Sequence, residues 1–322
     1  MNKPIKMLAG LMLAVTLAGA AAVAAPAVVS ADTATEQSSS SSSTATHTLS
    51  SSYVVYGAGA PQSVYDQLNS VMGVDSSFKK LTATASDYAK YIGNGTTTDA
   101  AMISSVAIAP TDPGSGVKVN IKKYNGQSNI TEVTAQQYAM VAQMAGVTDI
   151  TIVVTANRAV SGESALTGVY KAFEEDGHQL NSQNTAAANS VLDATQDAID
   201  ANKDDSSYPG KLMAAVGDTS KQIAQQKQSS GELATKADIQ EMLNKALEKR
   251  GIADQTTTTQ QEKIAGALVN FQNSPISSSK TYINNVTNTI NNVKNSTGNL
   301  MNKAKNWANS EAGKETVKQA QN

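Results

Sequence analysis

The chain of 322 residues contains no cysteine. That excludes disulfide staples, thiolate nucleophiles and any metal site built on cysteine. Histidine is almost as scarce: His47 and His178 are the only two, so an enzyme relying on an imidazole base has little to draw on. Aromatic residues make up 4% of the chain, and eight of the ten tyrosines fall between Tyr53 and Tyr170. The expected core therefore sits in the first half. A formal net charge of −2 lacks the basic excess of nucleic-acid-binding proteins, and no nucleic acid is expected as a partner. Beyond the first stretch of the chain, no segment is apolar enough to span a bilayer.

What is present begins with "MNKPIKMLAGLMLAVTLAGAAAVAAPAVVSADT". Lys3 and Lys6 precede an apolar run from Met7 to Ala25, and Val29 and Ala31 are small residues before Asp32. This is the grammar of a secretory signal peptide over residues 1–31, with cleavage expected between Ala31 and Asp32. The alternative is an uncleaved anchor, since about 19 apolar residues can cross a hydrocarbon core of roughly 30 Å. The Ala-rich end and the small-residue site favour cleavage. Residues 32–52, including "SSSSSSTATHTLSSS", carry almost no large apolar side chains. They read as a disordered spacer in which His47 has no neighbours.

From Tyr53 the pattern changes. Residues 53–177 alternate short β-branched runs with helical spacings in the order β-α-β-α-β-β-α-β-α. This predicts an α+β domain on a mixed or antiparallel sheet. "SDYAKYIGNG" reads as a helix capped by Ser86, and "TAQQYAMVAQMAG" as one capped by Thr134. "TDPGSG" between "AMISSVAIAP" and "VKVNIKKY" predicts a hairpin. Residues 178–274 hold no convincing strand and read as an all-helical region. Its best helix, "ATKADIQEMLNKALEKRG", has Thr235 as cap and Asp238 reaching back.

Residues 275–322 form an Asn- and Lys-rich segment. Ile283, Val286, Ile290, Val293, Leu300 and Trp307 follow a 3-4 spacing. They predict one long amphipathic helix with Asn on its outer face, and its stripe is a candidate contact surface. Four Lys and no acid between Lys280 and Asn309 suit an anionic membrane surface or a cell-wall polymer. Self-association through this helix is the other use of the stripe.

Among motifs with chemical meaning, "VSGESALTGVYKAFE" stands out. "GES" after a strand superficially resembles the serine elbow of hydrolases. The second glycine of that motif is Leu166 here, and the triad would need a base from elsewhere in the fold. As a helix start it reads better: Ser161 caps, Gly162 turns, and Glu163 complements the positive dipole end. Ser164, Gly168 and Ala172 then form a stripe of small residues for close packing. The Ser-x-x-Lys spacings at Ser76–Lys79 and Ser277–Lys280 lack the companion motifs of acyl-enzymes. The acidic stripe of Asp193, Asp197, Asp200 and Asp204 reads as a solvated helix face. No cofactor and no metal site is expected.

From about Tyr53 to Phe271 the chain resembles an uncharacterised family of secreted proteins of Gram-positive bacteria, domain of unknown function 1002. The resemblance rests on "YGA", "YIGNG", "SSV", "GSG", "NITEVTAQQYAMVAQMAGVTD" and "VSGESALTGVYKAFE". The chain departs from the family pattern at Gly59, Ala60 and Glu163. The resemblance implies secretion and a shared architecture, and it carries over no catalytic residue. The expectation is thus a secreted or envelope-associated protein without catalysis that contacts wall, membrane surface or a protein partner. The alternative is an envelope hydrolase with a cryptic serine or carboxylate site.

Overall fold

The computed structural model describes residues 45–93, 96–293 and 299–320. Ala31 and Asp32, and with them the expected leader, lie outside the described residues. The first nine elements follow the predicted order: β1 (Tyr53–Gly57), α1 (Tyr65–Met72), β2 (Lys79–Ala83), α2 (Ala85–Tyr91), β3 (Ser105–Pro110), β4 (Val117–Ile121), α3 (Ala135–Met144), β5 (Ile150–Thr155) and α4 (Glu163–Glu175). The strands form one mixed sheet in the spatial order β2-β1-β3-β5-β4. β1 pairs with β2 and β4 with β5 in parallel, while β3 runs antiparallel to both its neighbours, β1 and β5. Two βαβ units, β1-α1-β2 and β4-α3-β5, therefore flank one reversed central strand.

The expected hairpin does not form. β5 lies between β3 and β4, with Ile152 opposite Ile108 on one side and Val119 on the other. Every residue of β5 is buried, whereas β4 is only half-buried. The wholly buried strand takes the interior position, and β4 is left at the edge.

Side chains that alternate along the strands serve two apolar layers. Tyr53, Val55, Val106, Ile108, Ile150 and Ile152 face α3 and α4, in a cluster that continues into the helical region. Val54, Tyr56, Ala107, Ala109 and Val153 belong to a smaller cluster with Leu68 and Met72 of α1. The helical region comprises α5 (Ser182–Ala201), α6 (Tyr208–Ser230), α7 (Lys236–Lys249) and α8 (Thr258–Asn273). α5 and α6 pack directly on α3, so sheet and helices share one core.

The caps explain most helix starts. Thr134 with Gln137 and Thr235 with Asp238 each form a reciprocal capping box. α2 is capped by Thr84, not Ser86, because Thr84 has Asp87 three residues on to complete the same exchange. α4 is preceded by Gly162, not Ser161, in the cap position, with φ of +114° and no cap from its own side chain.

Two further expectations need correction. The spacer is not free up to residue 52: from Ala45 the chain lies against the body, and Leu49 is only 1% exposed. His47 is not without neighbours, since its ring stacks on that of His178. The long C-terminal helix is instead α9 (Lys280–Asn292), α10 (Leu300–Ala308) and α11 (Glu311–Ala320). α9 packs on α3, α6 and β4, and α10 packs on β3 and β5 from the other face of the sheet.

Candidate functional site

Helix α4 carries polar clusters at both ends, and the candidate chemistry of the chain is divided between them. At its amino end the Ser164 hydroxyl lies 2.7 Å from the Ser104 hydroxyl and accepts the Ser104 backbone N–H at 3.1 Å. The Ser104 hydroxyl accepts the Ala165 N–H at 2.9 Å and also lies 3.1 Å from the Gly162 carbonyl. A first-turn amide of α4, which also reaches the Gly162 carbonyl at 3.0 Å, is thus capped by a residue just before β3. Tyr138 of α3 donates its hydroxyl to the same Gly162 carbonyl at 2.5 Å. Burial, and then the charge of Glu163, push that hydroxyl far above its ordinary range and keep it a donor. Glu163 in turn accepts from the Tyr88 hydroxyl at 2.7 Å.

Gly162 and Gly168 owe their identities to crowding. A Cβ on Gly162 would come within 2.5 Å of the Tyr138 hydroxyl, and one on Gly168 within 2.9 Å of Val106 and 3.1 Å of Val55. Ser164, Gly168 and Ala172 are all buried on this helix, and the stripe lets α4 settle directly on β1 and β3. Ser161 contributes only its carbonyl, which accepts the Val133 N–H at 3.0 Å.

This amino end is closed as a reaction site. Ser164 is 8% exposed, and the cap amide at Ala165 is occupied by Ser104. Both histidines stand at the other end of the helix, about 20 Å away at 1.5 Å rise per residue. A serine base must lie within hydrogen-bond reach of the hydroxyl.

At the carboxyl end, Asp176 is the C-cap residue and its side chain is 1% exposed. Its carboxylate accepts from the Ser50 backbone N–H, from the Ser50 hydroxyl at 2.9 Å and from the Tyr53 hydroxyl at 2.8 Å. His178 Nε2 stands 3.9 Å from Asp176, and the His178 ring stacks on His47 with centroids 4.9 Å apart. Lys79 of β2 sits over the Tyr53 ring at 5.3 Å. Burial first, then the bond to Asp176, raise the Tyr53 hydroxyl well above its usual value. Ser104, Ser50, Asp176 and the histidine pair were not identified by the sequence reading. Ser104 carried a signal in hindsight, because "SSV" and "VSGES", two motifs of the family resemblance, meet here.

The remaining candidates are scattered. Asp197 pairs with Lys263 at 2.5 Å, and burial, then Glu163, raise the Asp193 carboxyl. Ser277 is buried and bonded to Lys227, while Lys280 is exposed. Ile283, Val286, Ile290 and Val293 are at most 8% exposed, and Leu300 and Trp307 are half-buried. The α9 part of that stripe is consumed by the molecule's own core, which removes it as a free contact surface. Three asparagines of α9 tie it to the body as well: Asn285 donates to Thr148, Asn288 to the Gly114 carbonyl, and Asn292 to the Ser115 carbonyl. A groove of about 300 Å³ between α6 and α7 is lined by Asp218, Lys221, Lys245 and Lys249. Asp218 pairs with Arg250 and Lys245 with Glu241. Among the described residues no cluster of three or more His, Asp or Glu could hold a metal ion, and no helix is long and apolar enough to cross a membrane.

One similar protein is the uncharacterized protein YpuA of Bacillus subtilis (strain 168), 30% identical over 151 residues. The alignment covers 46% of this chain and 50% of YpuA, so the chain spans half the length of that relative. No solved structure matches. Residues 56–292, which take in strands β2 to β5, the closed serine cluster and α9, match the family described as "Protein of unknown function (DUF1002)", and the chain belongs to that family.

Proposed function

We propose that the protein works outside the cytoplasm, in the medium or at the cell envelope, as a non-enzymatic module that contacts a wall polymer, a membrane surface or a protein partner. The single observation that carries the non-enzymatic part is the state of Ser164. Its hydroxyl is spent on Ser104, and no imidazole is within reach. Export is supported by the leader grammar of residues 1–31. With the stripe of α9 buried, contact falls to the exposed faces of the helical region. There Leu233, between α6 and α7, stands 54% exposed.

Fractionation of producing cells into medium, washed wall, membrane and cytoplasm, with N-terminal sequencing of each pool, tests the location. The expected result is a protein that begins at Asp32 and is found outside the cytoplasm. A cytoplasmic protein retaining Met1 would overturn it. Ser164→Ala is expected to cost about 1 kcal/mol of stability, the worth of one buried hydrogen bond. A serine-directed covalent probe should leave the wild-type chain unlabelled, and labelling at Ser164 would restore the hydrolase alternative.

A further inference from the structure

The chain before β1 is held to the body by three kinds of contact. The His47 N–H donates to the Gly146 carbonyl at 2.8 Å, and the Thr148 N–H donates to the His47 carbonyl at 3.0 Å, a short parallel pairing with Val147. Leu49 is buried, and the Thr48 hydroxyl donates to the Asp149 carbonyl at 3.2 Å. Beyond them, Ser50 is fastened to Asp176 by two hydrogen bonds. The one side-chain contact here that can change charge near neutral pH is the stack of His47 on His178.

We propose that Ala45–Leu49 form a strap, hinged at Ser50, that is docked at neutral pH and released by acid through the stacked pair His47 and His178. Neutral imidazoles stack favourably at 4.9 Å, whereas two imidazolium rings at that separation repel each other. The charges around the pair are unequal. Asp176 stands 3.9 Å from His178 Nε2. Among the described residues no ion pair forms on His47. On α4, Glu174 is engaged with Lys90 and Tyr91, and Glu175 acts on Tyr53. In the turn after α3, the Asp149 carboxylate is directed to the Gly116 N–H at 2.9 Å. On β2, the Lys79 cation lies over Tyr53. A charge gained on His47 therefore meets the ring of His178 with no carboxylate paired to it.

The direction of the effect follows from His47. Burial, and then the charge of His178, hold its imidazole below the usual histidine range. A base whose value is lowered by docking favours the docked state when neutral. Docking is therefore at full strength above the undocked value of 6.5 and weakens as pH falls below it.

Because the chain has no cysteine, a single introduced thiol reads the strap without interference. In full-length Leu49→Cys protein, reaction with a pyridyl disulfide is measured relative to an exposed Ser229→Cys control. Protection of Cys at position 49 is expected to fall about tenfold between about pH 7.5 and pH 5, as acid weakens docking. In a His47→Phe background, which keeps a stacking ring without a proton, protection should stay level. An equal fall in that background, or no fall in the parent, overturns the proposal. So does a parallel loss of far-ultraviolet circular dichroism, because the opening would then be global. Should Leu49→Cys itself undock the strap, exchange of the Thr148 amide in the unsubstituted chain decides instead. After correction for the intrinsic rate, faster exchange in acid supports the switch and constant protection refutes it.

Discussion

Helices α9 and α10 arise from what reads as a single stripe of apolar residues, yet they serve opposite faces of the sheet. α9 buries Tyr282, Ile283, Val286 and Ile290 against α3, α6 and β4. Thr289 of α9 accepts the Val117 N–H at 3.0 Å and donates to Gln143 at 2.8 Å, tying helix to strand and to α3. α10 buries only Met301 and Ala304, over the smaller cluster with Tyr56, Met72 and Val153. Its polar fastening is Lys305, which reaches the Gly73 carbonyl at 2.9 Å and Asp75 at 3.0 Å. α9 lies within the family match and α10 beyond it. A shared periodicity thus says that two segments will be buried, and nothing about where.

The comparison is broken most severely by deleting Ser279–Asn322. Ile283, Val286, Ile290 and Val293 each contribute about 1.5–3 kcal/mol on burial. Their loss, on the order of 6–12 kcal/mol, rivals the whole net stability of a domain at about 5–15 kcal/mol. The truncated chain is expected to lose its cooperative thermal transition. A sharp, near-native transition would show that α9 is an accessory after all. Met301→Ala probes the other face and should cost about 2–3 kcal/mol by opening a cavity beneath α10. Denaturant titration reads this directly, and a change below about 0.5 kcal/mol would mean that α10 merely rests on the sheet. The smallest effect is expected for Lys305→Ala. Its pair with Asp75 is half in solvent, where such pairs contribute at most about 1 kcal/mol. A larger loss would make the Gly73 and Asp75 contacts the real anchor of α10.

The two ends of α4 differ in a similar way. The start of α4 was legible near Ser161 to Glu163, and the stripe of Ser164, Gly168 and Ala172 was read as a packing surface. The partner that completes the start, Ser104, was not legible, because a cap donated from before another strand leaves no local spacing. At the far end, His47 reads as a residue of a polar spacer, since Ser and Thr surround it. Its burial depends on Gly146, Thr148 and His178, none of which is near it in the chain.

Local residue spacing and composition set the order of strands and helices, the cap at Thr134, the capping box at Thr235, and the lack of any thiol or disulfide chemistry. These depend on residues within three or four positions of one another, or on composition alone. Only the tertiary structure decided that β5 enters between β3 and β4, that Ser104 meets Ser164, and that His47 stacks on His178. It alone divided the C-terminal stripe between two faces. Each of these outcomes follows from competition among distant segments for a limited apolar surface. Fully buried strands take the interior positions, the half-buried β4 is left at an edge, and the helices that follow fill whichever face is still open.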